Sequence, residues 1–147
     1  MRLTLEGEEV RVLSVGSGHT DGDLVALLPG RKLLVAGDLI NNGLEPYCDP
    51  KFGGDILTLA QTLPKVMALD FERVVPGHGD VMPRAQVQRL SDYLVALEAA
   101  VRAARAAGKT EDQAAAELKL PEYPLSDVLF VTSRDGNVRS MFRALGR

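Results

Sequence analysis

Three short apolar runs in this chain each break at a glycine, and a potential metal ligand follows. Val10-Arg11-Val12-Leu13-Ser14-Val15 leads into Gly16-Ser17-Gly18-His19-Thr20-Asp21-Gly22-Asp23. Leu33-Leu34-Val35-Ala36 leads into Gly37-Asp38, and Arg73-Val74-Val75 leads into Pro76-Gly77-His78-Gly79. A β-branched or leucine-rich run bounded by glycine reads as a strand. Glycine at the break lets the backbone turn sharply and lets another group approach it closely. Strands that end on one side of a shared layer would bring His19, Asp38 and His78 together at its rim.

The remaining pattern supports such a layer. Leu3-Thr4-Leu5 is a further short strand, and residues 24–28 end at the turn signal Pro29-Gly30. Short strands joined by tight turns imply a mostly antiparallel sheet. Residues 41–54 contain Asn-Asn-Gly, two prolines and a glycine pair, and read as a long loop of the kind that often carries function. Asp55 is placed to cap a helix over residues 56–69, with Ile56, Leu59, Leu63 and Val66 at helical spacing and Pro64 kinking or restarting it. Pro83 suits the first turn of a long helix whose Val87, Leu90, Tyr93, Leu94, Leu97 and Val101 share a face, with Gly108 as its end. Thr110-Glu111-Asp112-Gln113 resembles a capping box before residues 114–118. Pro121 and Pro124 bracket a loop, and a last helix covers residues 138–145. The expectation is a single domain over residues 1–147, strand-rich over 2–82 and helical over 83–147.

Composition excludes several functions. At 147 residues the chain is long enough for a core without staples. A net charge of −3 with no basic cluster argues against nucleic acid as a partner. No apolar run is long enough to span a membrane, and residues 1–6 lack the apolar stretch of a signal peptide. Cys48 is the single cysteine, so no intramolecular disulfide forms, which fits a cytoplasmic location. Gly16-Ser17-Gly18 is not a dinucleotide fingerprint, because a strand follows it, and Ser17 is not in a Gly-x-Ser-x-Gly elbow. Cys48 has no histidine near it in sequence and reads as an idle thiol.

The chemistry of His19, Asp38 and His78 suits Zn²⁺, Fe or Mn²⁺. Each histidine loop taken alone reads more readily as a plain turn with a hydrogen-bonded side chain, and only the set points to metal. The chain's two histidines both lie in glycine-flanked loops at strand ends. Asp21-Gly22 is a turn, and Asp23 is placed to bind local backbone amides.

Together, Gly18-His19-Thr20-x-Gly22-Asp23, Ala36-Gly37-Asp38 and Val74-Val75-Pro76-Gly77-His78-Gly79 resemble the C-terminal half of a metallo-β-lactamase-fold hydrolase. The order, strand contexts and intervening lengths match over roughly residues 2–95. Asn137-Val138-Arg139 before an aromatic is similar to tails of some members. The resemblance implies an α/β fold, half of an αββα sandwich, with one mostly antiparallel sheet, helices packed on one face and further C-terminal helices. It implies that His19 is a ligand of one metal and His78 of a second, most often zinc, with Asp38 bridging both and orienting a metal-held hydroxide. That hydroxide would attack an ester, thioester, lactam or phosphoester in a small-molecule substrate.

The sequence departs from the family in one large respect. It contains no His-x-His-x-Asp-His motif and no histidine left to form one. Catalytic zinc normally has three protein ligands, more than these loops offer each metal. Half a sandwich also leaves a sheet face bare, so Val12, Leu27 and Val35 are expected to need a partner layer. Three readings follow: a hydrolase half needing a complementary N-terminal half, a homodimer that rebuilds the sandwich, and a non-catalytic binding module.

Overall fold

Strand β1 (Arg2–Leu5) turns into β2 (Glu8–Leu13) through Glu6 and Gly7, both at positive φ. A two-residue turn of that kind matches the twist of paired strands. The computed structural model describes residues 1–120 and 133–147. After β2 come β3 (Val25–Leu28), β4 (Leu33–Gly37), α1 (Ile56–Met67), β5 (Arg73–Pro76) and β6 (Met82–Pro83). Helices α2 (Arg84–Ala106), α3 (Glu111–Glu117) and α4 (Arg134–Ala144) complete the order. The six strands form one sheet in chain order. Every step is antiparallel except β4 to β5, where α1 makes the crossover that a parallel pair requires.

The expected elements form with shifted ends. Strand β2 covers residues 8–13 rather than 10–15, which frees Ser14 and Val15 to begin the His19 loop. Short β6, opposite β5, had no signal in the sequence. Asp55 caps α1 by accepting from the Leu57 amide at 2.8 Å. Pro64 does not restart that helix, which runs through it to Met67. Pro83 stands at the N-cap of α2, one residue before the helix. The Thr110–Gln113 capping box forms, and Gly108 takes φ +73° after α2. Helix α4 starts at Arg134, earlier than 138, because the Ser133 side chain caps it through the Gly136 amide. The loop expected between Pro121 and Pro124 lies outside the described residues.

Alternation along the strands decides which sheet face the helices cover. Val25, Leu27, Leu34, Ala36 and Val74 are buried in one cluster with Leu59 and Leu63 of α1 and Leu94 and Leu97 of α2. The residues between them point the other way. Paired positions share a face, so register places Leu3, Val10, Val12, Ala26, Val35 and Val75 together on the opposite side. None of these six is buried, and Val35 is 37% exposed. Val12 and Val35 therefore lie on the face that the described helices do not cover. Leu27, expected with them, does not: it pairs with Leu34 on the helix side and is 4% exposed. The period of two puts it one position out of phase with Ala26.

Candidate metal centre

Asp38 follows the last residue of β4, and the local backbone leaves it little freedom. Gly37 takes φ +54°, and its carbonyl accepts from the Gly77 amide at 2.8 Å. The same Gly77 amide also reaches the Ile40 carbonyl at 3.1 Å. A Cβ at Gly77 would collide with Asp38 Oδ1 and lie 2.7 Å from the Asp38 amide nitrogen. Glycine at 77 thus lets the β5 loop press directly on Asp38. The His78 carbonyl then accepts from the Asn42 amide at 2.9 Å, joining the third loop to residues 41–54.

The His19 loop is fastened from several sides. Thr62 Oγ1 on α1 donates to the Ser17 carbonyl at 2.7 Å, and the Asp55 amide donates to the Gly18 carbonyl at 3.0 Å. The His19 carbonyl accepts from the Asp49 amide at 2.8 Å. Gly54 makes that approach possible, since a Cβ there would run into the His19 carbonyl oxygen. Asp23 Oδ1 accepts from the Thr20 amide at 3.0 Å and from Thr20 Oγ1 at 2.6 Å, the local role expected of it.

Both imidazoles face one carboxylate. His19 Nε2 is 3.5 Å from Asp38 Oδ2, and His78 Nε2 is 3.3 Å from Asp38 Oδ1. His19 is the more enclosed; the His78 side chain is 57% exposed. His19 Nδ1 lies 3.0 Å from the Tyr47 carbonyl. A carbonyl only accepts, so Nδ1 donates to it and Nε2 is the nitrogen left facing Asp38. A ring nitrogen fixed by a backbone carbonyl is the usual support of a metal-binding imidazole.

Each carboxylate oxygen of Asp38 thus faces one imidazole nitrogen, a pair of donor types that divalent cations accept. Each position has one imidazole and one oxygen. Among the described residues, no three His, Cys, Asp or Glu side chains form a group able to enclose a metal. Cys48 adds nothing, since burial pushes its thiol up to about 12, with Asp55 and Asp23 nearby acting in the same direction.

Several residues around the centre had no signal in the sequence. Tyr47 acts through its main chain, which composition does not reveal. Glu45 accepts from Asn137 Nδ2 at 2.7 Å and from the Tyr93 hydroxyl at 3.2 Å, joining the 41–54 loop to α4 and α2. The 3₁₀ turn Pro50–Phe52 lies within that same loop. Tyr47, Cys48 and Pro50 also line a cavity of about 600 Å³ whose other wall is α4, including Asn137, Ser140 and Arg143.

The chain belongs to the metallo-beta-lactamase superfamily, whose family model matches residues 2–78, just over half of its length. The match covers all three glycine-flanked loops and ends on His78. Solved structures extend the likeness. The stereoselective inverting sec-alkylsulfatase Pisa1 from Pseudomonas sp. aligns with 98% of this chain at a TM-score of 0.76 and 18% identity. A metallo-beta-lactamase from Pontibacter korlensis aligns with 65% of it at 0.57 and 21%, and the DIM-1 metallo-beta-lactamase with 64% at 0.53 and 22%. At these identities the likeness is one of fold. The chain spans 25% of the alkylsulfatase and 45% of each beta-lactamase. No curated protein matches it. The fold is thus a hydrolase-type fold of a superfamily that generally binds metal ions such as zinc. Among the described residues, no helix is long and apolar enough to cross a membrane.

Proposed function

We propose that this chain is one half of a metal-dependent hydrolase, contributing His19, Asp38 and His78 to a two-cation centre. The observation that carries the reading is the convergence of two Nε2 atoms on the two oxygens of Asp38. His19 would hold one cation and His78 the other, with Asp38 shared between them. Zinc bound there would supply Lewis acidity and bring the pKa of a water molecule close to neutrality. The protein's own contribution is positional. The Tyr47 carbonyl holds His19 in the Nδ1–H form, and the close approach at Gly77 fixes Asp38. Asp38 brings a negative charge that offsets part of the cations' charge and accepts a hydrogen bond from an incoming water. The 41–54 loop frames one side and would shape access for an ester, thioester, lactam or phosphoester.

Each cation would still lack a third protein ligand, and the bare sheet face lies uncovered. Both needs are met by a complementary half or a second copy laid against Val12, Val35 and Val75. The alternative is a binding module that kept these loops without chemistry.

Zinc uptake separates the readings. In competition with a chromophoric chelator, the wild-type chain should take up zinc, and His19→Ala, Asp38→Asn and His78→Ala should each reduce that uptake. Equal uptake by all four proteins would sink the hydrolase reading. Light scattering of the same samples tests the partner: a lone monomer at micromolar concentration with no copurifying chain would remove the complement.

A further inference from the structure

We propose that Asn137, on the C-terminal helix, is a positioning residue for His19, acting through Glu45 and the Tyr47 carbonyl. The inference rests on the reading of His19 as a metal ligand. It also gives a role to the Asn137-Val138-Arg139 segment, which lies far from the three loops in sequence.

Three short steps make the path. Asn137 is 3% exposed and donates through Nδ2 to Glu45 Oε2 at 2.7 Å. Glu45 is followed by Pro46, whose ring fixes one backbone torsion between the anchored side chain and Tyr47. The Tyr47 carbonyl then lies 3.0 Å from His19 Nδ1. The Tyr47 ring also stands against the imidazole, with centroids 5.6 Å apart. A shift of Glu45 therefore moves the group that decides which His19 nitrogen holds the proton.

Packing alone does not account for the Glu45 node. A partly buried carboxylate is costly unless hydrogen-bonded, and an apolar side chain would fill the space more cheaply. Glu45, Tyr93 and Asn137 are bonded to one another instead. Both bonds to Glu45 fall on Oε2, while Oε1 is buried with no hydrogen-bond partner among the described residues, so the two donors alone fix where the carboxyl sits. An open cleft of about 600 Å³ lies between the loop and α4 beside the Asn137–Glu45 bond.

The test uses the full chain without metal and reads its two histidines by long-range ¹H–¹⁵N correlation. Wild-type His19 should show a protonated Nδ1. Asn137→Leu removes the donor at similar volume and should convert His19 to a mixture of tautomers while His78 is unchanged. Tyr93→Phe keeps the ring, removes one bond to Glu45 and should give the same change to a smaller extent. Glu45→Gln retains an acceptor for both partners and should leave His19 as in the wild type. With zinc as the probe, loss of such a supporting contact should weaken binding roughly 10-fold or more. A His19 signal unaltered in both Asn137→Leu and Tyr93→Phe overturns the proposal, and Tyr93→Phe decides alone if Asn137→Leu does not fold. A wild-type chain that binds no zinc but shows the tautomer change contradicts the metal reading and leaves the positioning role intact.

Discussion

Gly77 has the narrowest tolerance near the centre. Its missing side chain is what brings the β5 loop against Asp38, and the obstruction to a Cβ includes backbone, which moves less readily than a side-chain tip. Gly77→Ala should cost about 1–3 kcal/mol of stability, an overpacking penalty, and should weaken zinc binding by displacing Asp38. Gly22 is the matched control, since a Cβ there meets nothing within 4 Å. Gly22→Ala should leave the urea midpoint and zinc uptake near wild type. Equal effects of the two substitutions would contradict the account of Asp38. At this scale the sequence was informative. His19, Asp38 and His78 stood out because each ligand-type side chain follows a glycine, and the structure brings those three together. Tyr47 was hidden because its contribution is a carbonyl, common to every residue. Glu45 was hidden because its partners lie 48 and 92 positions away in the chain.

Among elements, the 41–54 loop gains most from the structure. It meets the His78 loop through Asn42, the His19 loop through Tyr47 and Asp49, and α2 and α4 through Glu45. Burial raises the Glu45 carboxyl above the ordinary carboxylate range, against the opposing effects of the Asn137 and Tyr93 hydrogen bonds and nearby Arg134. A carboxyl with a raised folded pKa holds its proton more tightly folded than unfolded. Its contribution to stability is complete below the ordinary value and is lost as pH rises through the folded one. Glu45→Gln has no proton to lose, so its urea midpoint should gain on wild type as pH rises above about 4. Parallel midpoints over that range would contradict the direction of the shift. Helix positions were legible from apolar spacing and caps, as with Asp55 and Thr110. Strand ends were less so, because hydrogen-bond register, not composition, decides that β2 stops at Leu13. Two-residue β6 is too short to carry a period.

Among the described residues, helices cover one face of the sheet and leave the other partly exposed. Leu27 illustrates how the sequence divides them: a continuous apolar run names a strand but not the side each residue takes. Register with Arg11 and Leu34 assigns Leu27 to the helices and leaves Ala26, Val12 and Val35 outside. Six unburied aliphatic positions across five strands form a surface suited to a second layer, since a sheet buries each apolar face against another element. His19, Asp38 and His78 sit at loops on one rim of a single sheet, and on the proposed reading further ligands would come from whatever lies across from it.

The central claim is that both imidazoles bind metal. Zinc-edge X-ray absorption of the zinc-loaded chain tests it most directly. The account predicts a first shell of nitrogen and oxygen at about 2.0–2.1 Å with imidazole outer-shell scattering. That scattering should fall in His19→Ala and in His78→Ala and vanish when both are replaced. A sulfur shell at about 2.3 Å from Cys48, or imidazole scattering that persists without His19 and His78, would contradict it.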